Sequence, residues 1–485
     1  MKMASTTISK ARQALGLLLM AAVTACGGGG GSPGTGATAV SSPPAGGTGQ
    51  TGQSGCSLVE RQNWAAGVLN EWYLFPETLP ASLSPAGYAT VSAYLDALTA
   101  TARSQGRDRY FTYLTSIADE NAYYNSGSTA GFGFRVASDT AAGTATITEA
   151  FEGAPAFAAG VDRGDRIVAI GTDPNSLRQV SDILAASGAQ GVTDALGPST
   201  AGTTRTLQLA GQGGNRTVTI TKANYTLQPL SPRYGSRVLD NGGRPTGYIN
   251  LRTFISTGDA QLRQAFAQFR QQGITDVIID LRYNGGGLVA SAELMGDLLG
   301  RNRFTSDVFD RTTYRPEKSA NSTVRTFTPQ PESIAPTRIA FIGTGATASA
   351  SELVINGMVP WLGNNIVLVG ANTYGKPVGQ VAIDRSACDD RLRVIAFATQ
   401  NGAGNANYFN GLAATVPVTC SAGDDASRPL GDANEASVAQ ALAWLRGTPC
   451  TPIAIGQRSQ SVATRPELLT PLAPTAAQRD VPGLF

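Results

Sequence analysis

Val277-Ile278-Ile279-Asp280-Leu281-Arg282-Tyr283-Asn284-Gly285-Gly286-Gly287 is the stretch on which the fold turns. Its first three residues are a short, β-branched, uninterrupted apolar run, the mark of a strand buried on both faces. The three glycines then break any regular element, and Leu288, Ala292, Met295 and Leu299 recur at helical spacing behind them. Strand, glycine loop and helix in that order make a βα unit. The pattern repeats on either side. Gly247-Tyr248-Ile249-Asn250-Leu251 reads as a strand followed by an amphipathic helix over 259–272 with Leu262, Phe266 and Phe269 inward. Arg338–Ile342 and Ile366–Val369 read as further buried strands. Such alternation predicts an α/β layer with a largely parallel sheet, in which sites sit beyond the strand C-termini.

Three loops follow three of these strands. In the first, Asn284-Gly285-Gly286-Gly287 could leave several backbone N–H groups pointing at one spot. No Gly-Lys-Ser/Thr follows, which disfavours a phosphate loop; an oxyanion hole and a plain tight turn both stay open. The second, Thr347-Ala348-Ser349-Ala350-Ser351-Glu352, places a serine at a helix start, where it reads equally as an N-cap with an acidic first turn. The third, Tyr374-Gly375-Lys376-Pro377-Val378-Gly379-Gln380, carries a lysine that is either a solvated charge or, if enclosed, an amine with a lowered pKa.

Composition narrows the chemistry. The 485 residues contain no histidine, so a Ser-His-Asp triad, a Cys-His dyad and a His-ligated metal are excluded within this chain. A lysine base is the simplest serine-hydrolase chemistry left. The formal net charge of +2 gives no support to a nucleic-acid binder.

The segment 126–225 has another character. Gly131-Phe132-Gly133-Phe134, the Ala154-Pro155-Ala156 to Gly160 stretch and Gly164-Asp165-Arg166-Ile167-Val168-Ala169-Ile170 together resemble a PDZ domain. That resemblance implies that the backbone of Gly131, Phe132, Gly133 and Phe134 holds a peptide's C-terminal carboxylate while the peptide adds as an edge strand. A Gly-bordered hairpin is the plainer alternative.

Taken together, the strand with "DLRYNGGG", the "SASE" at 349–352, the "GKPVGQ" at 375–380 and the PDZ-like segment resemble the tail-specific, or carboxy-terminal processing, peptidases. Over 56–450 the resemblance implies a multidomain α/β and α+β fold: a helical cap (56–125), a PDZ domain (126–225) and an α/β catalytic core (226–450) with a ClpP/crotonase-like layer. It implies Ser349 as nucleophile, Lys376 as general base, Gln380 as the residue orienting it, and Gly286 with Ala350 as the oxyanion hole. No metal or organic cofactor is implied. Lys376 lies 27 residues after Ser349, slightly further than the family's usual spacing, and Pro377 stands where a glycine is often found. The implied substrates are unfolded or C-terminally exposed proteins, with an adaptor or a second copy of the chain as a further partner. A non-catalytic peptide-binding lipoprotein on the same fold, and an esterase or amidase, are the rival readings.

The ends of the sequence add an address. Lys2, Lys10 and Arg12 precede the apolar run Ala14–Val23, about ten residues long, which suits a signal peptide and is too short to span a bilayer. Val23-Thr24-Ala25-Cys26 resembles a bacterial lipobox. This implies a signal segment at 1–25, lipidation of Cys26, and a periplasmic protein anchored to the outer membrane. Residues 26–55, rich in Gly, Ser, Thr, Ala and Pro, are expected to form a disordered spacer. The remaining cysteines, Cys56, Cys388, Cys420 and Cys450, allow three disulfide pairings in an oxidising compartment. The expectation is a local Cys388–Cys420 clip and a Cys56–Cys450 bond tying the start of the fold to its end. A loosely ordered tail is expected over 451–485.

Overall fold

A computed structural model describes residues 55–211, 213–455 and 466–485. The signal segment, the Cys26 anchor and all but the last residue of the 26–55 spacer lie outside the described residues. Among the described residues no helix is long and apolar enough to cross a membrane.

A six-stranded sheet forms the centre, in the spatial order Ser236–Asp240, Pro245–Asn250, Asp276–Asp280, Arg338–Gly343, Ile366–Gly370 and Val418–Ser421. The first two strands are antiparallel and all later pairs are parallel. Val277, Ile278 and Ile279 are fully buried because both faces are covered. Helices Asp259–Gln271, Val289–Leu299 and Ala350–Leu362 pack on one side, and helix Ala436–Leu445 packs on the other. Each such side chain contributes roughly 1.5–3 kcal/mol of hydrophobic stabilisation. Parallel pairing also fixes register: Asp280 lies beside Ile342, and Gly343 beside Gly370. Three strand C-termini therefore end side by side, and the loops carrying Asn284–Gly287, Ser349 and Lys376 start from one edge.

A second, antiparallel sheet joins strands Tyr113–Ser116, Val378–Arg385, Asp390–Asn401, Val308–Tyr314 and Thr323–Thr326. Helix Leu58–Trp72 opens with a capping box, in which the Glu60 carboxylate accepts from the Ser57 amide at 3.0 Å. With helix Val91–Leu98 it buries Leu69, Tyr73 and Leu95 against Val378, Leu392 and Val394 of this sheet. The cap expected at 56–125 thus contributes a strand as well as helices, and shares its core with the lysine-bearing hairpin.

Strands Phe134–Asp139, Thr144–Ala150, Arg166–Gly171, Thr204–Gly211 and Gly214–Thr221 form a third sheet, covered by helix Val180–Leu196. Strand Glu467–Leu468 adds to its edge beside Phe134–Asp139.

Two expectations are corrected. The tail is ordered over 466–485: Ala476–Asp480 is a short helix, and Val481, Leu484 and Phe485 are buried. Its Pro, Thr and Ala content hid the few apolar residues that find a core. The disulfides are Cys56–Cys388 and Cys420–Cys450, with Cα separations of 5.6 and 5.4 Å. Cys388 sits in the turn between strands Val378–Arg385 and Asp390–Asn401, where Arg385 donates to the Glu60 carbonyl at 2.8 Å and so lies against the first helix. Cys420 lies in the last strand of the central sheet, and the chain returns beside it through Ser421 N–H to Thr451 O at 2.7 Å.

Peptide mapping of the oxidised chain without reduction is expected to recover 56–388 and 420–450 linked fragments. Removing the second bond by Cys420→Ala with Cys450→Ala is expected to cost about 2–4 kcal/mol in urea unfolding. Recovery of a 388–420 fragment would contradict this pairing.

Candidate active site

The helix Ala350–Leu362 begins at an abrupt corner. Ser349 has φ +56° and ψ −117°, a conformation that costs a non-glycine residue of order 1–3 kcal/mol. Such a corner lifts a side chain off the sheet edge. Opposite it, Gly286 adopts φ +122°, and a Cβ there would lie 2.8 Å from the Ser349 Cβ and 3.2 Å from the Ala350 nitrogen. Only glycine permits so close an approach.

What joins the serine loop to the lysine loop is Glu352, in the first turn of that helix. Its side chain is fully buried and accepts four hydrogen bonds: Ser349 N–H at 3.1 Å and Lys376 N–H at 2.7 Å on Oε2, Gly375 N–H at 2.7 Å and Thr373 Oγ1–H at 2.6 Å on Oε1. Burial pushes the Glu352 carboxyl above its ordinary pKa, and the donors pull it back part of the way. The sequence reading took Glu352 for an acidic first-turn residue. Its i+3 spacing from Ser349 signals a capping box, but not the second loop that it holds.

Lys376 is enclosed. Its Nζ donates to Gln380 Oε1 at 3.0 Å and lies 5.0 Å from the Phe111 ring centroid. The Gln380 Nε2 donates to the Phe111 carbonyl, which settles which end of the amide faces the lysine. Desolvation lowers the Lys376 pKa to about 8; the Asp480 carboxylate opposes that shift and Arg479 reinforces it. Arg109 supports the loop from outside, donating to the Tyr374 carbonyl at 2.7 Å and the Phe409 carbonyl at 3.2 Å. Neither Arg109 nor Phe111 was singled out from the sequence, because nothing in their spacing links them to residues more than 260 positions away.

The glycine loop departs in one respect from its expected form. The Gly286 amide donates to Asn284 Oδ1 at 2.9 Å, and it is Gly285 N–H that points outward, to the Asp480 carbonyl at 2.8 Å. Asn284 also fastens this loop to the serine loop: its carbonyl accepts Ala348 N–H at 3.1 Å and Ser351 Oγ–H at 3.0 Å. Below it, Asp280 and Arg282 form a buried pair at 2.9 Å, extended by Glu435 at 2.8 Å.

In the third sheet Phe132 and Phe134 are buried, their rings stacked at 5.3 Å between centroids. Gly133, at φ +79°, turns its N–H and that of Phe134 toward the oxygen of Phe485, at 2.8 and 3.4 Å. Ser349, Lys376, Gln380, Gly286 and Ala350 are thus gathered at one sheet edge, while Gly131–Phe134 form a separate backbone cradle.

Comparison with known proteins accords with this geometry. Residues 245–416 match the model of the family described as Peptidase family S41. The chloroplastic C-terminal processing peptidase of Tetradesmus obliquus is 30% identical over 269 residues, 54% of this chain and 54% of its own. The carboxyl-terminal-processing protease of Picosynechococcus sp. is 25% identical over 253 residues, 52% of this chain and 55% of its own. The chain thus spans about half the length of the curated relatives it matches. A solved Bacteroides fragilis chain assigned to the S41 proteases shares the fold, with a TM-score of 0.62 at 22% identity over 79% of this chain and 97% of its own. Residues 245–416, the stretch that holds both Ser349 and Lys376, are thus similar to peptidase family S41.

Proposed function

We propose that the chain is a serine endopeptidase that cleaves exported proteins, with Ser349 as nucleophile and Lys376 as general base. The observation that carries the reading is the Glu352 carboxylate, whose one oxygen binds the backbone N–H of both residues. It is supported by the enclosure of Lys376 against Gln380 and Phe111.

Neutral Lys376 takes the Ser349 proton as the serine oxygen attacks the substrate carbonyl. Gln380, accepting one lysine N–H, leaves the amine lone pair for that proton. The tetrahedral oxyanion is met by backbone N–H groups of Ala350 and the glycine run, each donor worth roughly 3–4 kcal/mol in comparable sites. Gly286 serves there once its amide is released from Asn284, and Gly285 once its own is released from the Asp480 carbonyl. Protonated Lys376 then gives its proton to the leaving amine, and water hydrolyses the acyl-enzyme. The chemistry calls for no metal or cofactor.

The cradle at Gly131–Phe134 acts as a PDZ-type site for substrate chain ends, with main-chain hydrogen bonds supplying affinity. Export, lipidation at Cys26 and an outer-membrane location complete the proposal. Incorporation of labelled palmitate, lost in Cys26→Ser, is the expected mark of the anchor.

Cleavage of β-casein by the full chain is expected to fall at least about 10³-fold in Ser349→Ala and in Lys376→Ala, with both variants still folded. Lys376→Arg is expected to be equally inactive, since guanidinium does not give up its proton near neutral pH. A folded chain inert on casein and on simple esters alike would instead favour the binding protein.

The pH dependence has a definite sign. The base works unprotonated, so kcat/KM is expected to rise about tenfold per pH unit below a midpoint near the Lys376 pKa of about 8, then level off. An activity that falls as pH rises through that range would remove Lys376 from the role.

Glu352→Gln places an amide among four donors. It is expected to cost about 1–3 kcal/mol of stability and to lower kcat more than it raises KM. Unchanged kcat in this variant would show that the carboxylate does not set the site.

A further inference from the structure

The residues that fill the peptide cradle belong to the chain itself. Phe485 O accepts from Gly133 and Phe134, Phe485 N–H donates to Phe134 O at 3.0 Å, and Val136 N–H donates to Gly483 O at 3.0 Å. Arg135 and Leu484 form an antiparallel bridge. This is strand addition at a sheet edge. The Phe485 side chain is 1% exposed and sits in the core cluster that holds Phe132 and Phe134, while Leu484 and Val481 pack with Tyr123, Phe151 and Ile255. A Cβ on Gly131 would come within 2.8 Å of the Phe485 carbonyl carbon.

The same segment reaches the other site. Asp480, five residues earlier, gives its carbonyl to Gly285 N–H at 2.8 Å, and its buried carboxyl lies among Lys376, Tyr124, Arg393 and Glu120. Arg479 stacks on Tyr113 at 3.6 Å. The helix Ala476–Asp480 is held by a capping box between Thr475 and Gln478, and Gln478 Nε2 donates to Leu484 O at 2.8 Å. Val481 N–H closes on Ala477 O at 2.8 Å. A backbone curled this way offers no extended strand to lie against the catalytic loop, so the segment occupies the cleft without presenting a bond for attack.

We propose that residues 475–485 are a tethered ligand that fills the peptide cradle and covers the catalytic cleft at once, and that peptides carrying an apolar residue followed by phenylalanine open the enzyme by replacing it. The ligand class follows from the occupant: an edge-strand backbone, a large aromatic side chain in the Phe132–Phe134 pocket, and an aliphatic one before it. The inference rests on the peptidase reading for its effect on turnover, but not for its effect on binding.

The test uses the full chain and the eleven-residue peptide Thr-Ala-Ala-Gln-Arg-Asp-Val-Pro-Gly-Leu-Phe. On the Ser349→Ala protein, adding peptide is expected to raise amide exchange in residues 475–485 while leaving 133–136 protected. Phe485→Asp combined with Ser349→Ala is expected to bind the fluorescent peptide at least tenfold tighter than Ser349→Ala alone. In the active enzyme, Phe485→Asp is expected to raise β-casein cleavage at least tenfold. Because Phe485 lies in a core, Arg479→Ala with Asp480→Ala is run beside it; that pair loosens the cleft end only and is expected to raise cleavage several-fold with the cradle still occupied. Unchanged exchange in 475–485 at saturating peptide, or equal affinities with and without Phe485, would overturn the proposal. So would trimming of the segment by the unmodified enzyme but not by Ser349→Ala, which would make it a substrate. Displacement without any casein cleavage would uphold the ligand and reject the peptidase.

Discussion

A buried carboxylate, with the Tyr374 N–H to Thr347 O bond at 2.9 Å beside it, ties the Ser349 loop to the Lys376 loop. Among the described residues no cation forms a salt bridge with Glu352; its charge is met by two backbone amides on one oxygen, and an amide and a hydroxyl on the other. An acid so placed is costly if any donor is withdrawn, because each oxygen would be left partly unsatisfied in a low-dielectric interior. The serine corner and the lysine turn therefore move together or not at all. That constraint also gives a reason for the strained φ of Ser349: its own amide is held by a hydrogen bond to the Glu352 carboxylate. Everything else in the site, from the Gly286 approach to the Gln380 contact, is built around two loops whose separation Glu352 sets.

A second layer of buried charge fixes the Gly131–Phe134 backbone cradle to the core. Glu149 lies between Arg135 at 2.8 Å and Arg252 at 2.6 Å, all three nearly inaccessible, and Tyr234 adds a hydrogen bond at 2.6 Å. Arg163 bridges from the third sheet to Asp424 at 2.7 Å and to the Tyr283 hydroxyl at 2.9 Å, directly beside the glycine loop. Opposing charges hold both the Glu149 and the Asp424 carboxyls below their ordinary pKa despite their burial. Desolvating so many ions yields little net stability compared with an apolar interface. What the network does supply is geometry, since each arginine fork accepts only one placement of its partner. The distance between cradle and catalytic loop, spanned by residues 480–485, is set in this way.

Much of this was legible in the sequence because it is local. The apolar runs at 277–279, 338–342 and 366–369 announce buried strands, and strand C-termini announce where a site will lie. Ser349, Lys376 and Gln380 could be named because they sit in short strings. The remainder depends on contacts between distant segments. Cys388 faces Cys56 only because a hairpin 332 residues away packs on the first helix. Glu352 looks like an N-terminal acid until the lysine turn arrives beside it. The Gly286 amide looks free until Asn284, two residues before, turns its side chain inward. The tail misleads for another reason. Its average composition is that of a loose segment, but Val481, Leu484 and Phe485 fall at positions where the third sheet and the helix Ile117–Ser126 leave apolar space.

The lysine shows how occupancy and chemistry are linked. The base role proposed for Lys376 would need an environment that disfavours its ammonium form, and burial supplies it. The helix Ala476–Asp480 brings the Asp480 carboxylate, which favours the ammonium form again. The two effects oppose one another on the same amine. A peptide lying over Lys376 without an acid at that point would keep the desolvation and drop the counter-charge, leaving the amine readier to accept a proton than it is beneath the tail. On the proposal above, the state covered by residues 475–485 would be closed twice, once by the backbone lying on the Gly285 loop and once by the Asp480 charge placed near Lys376.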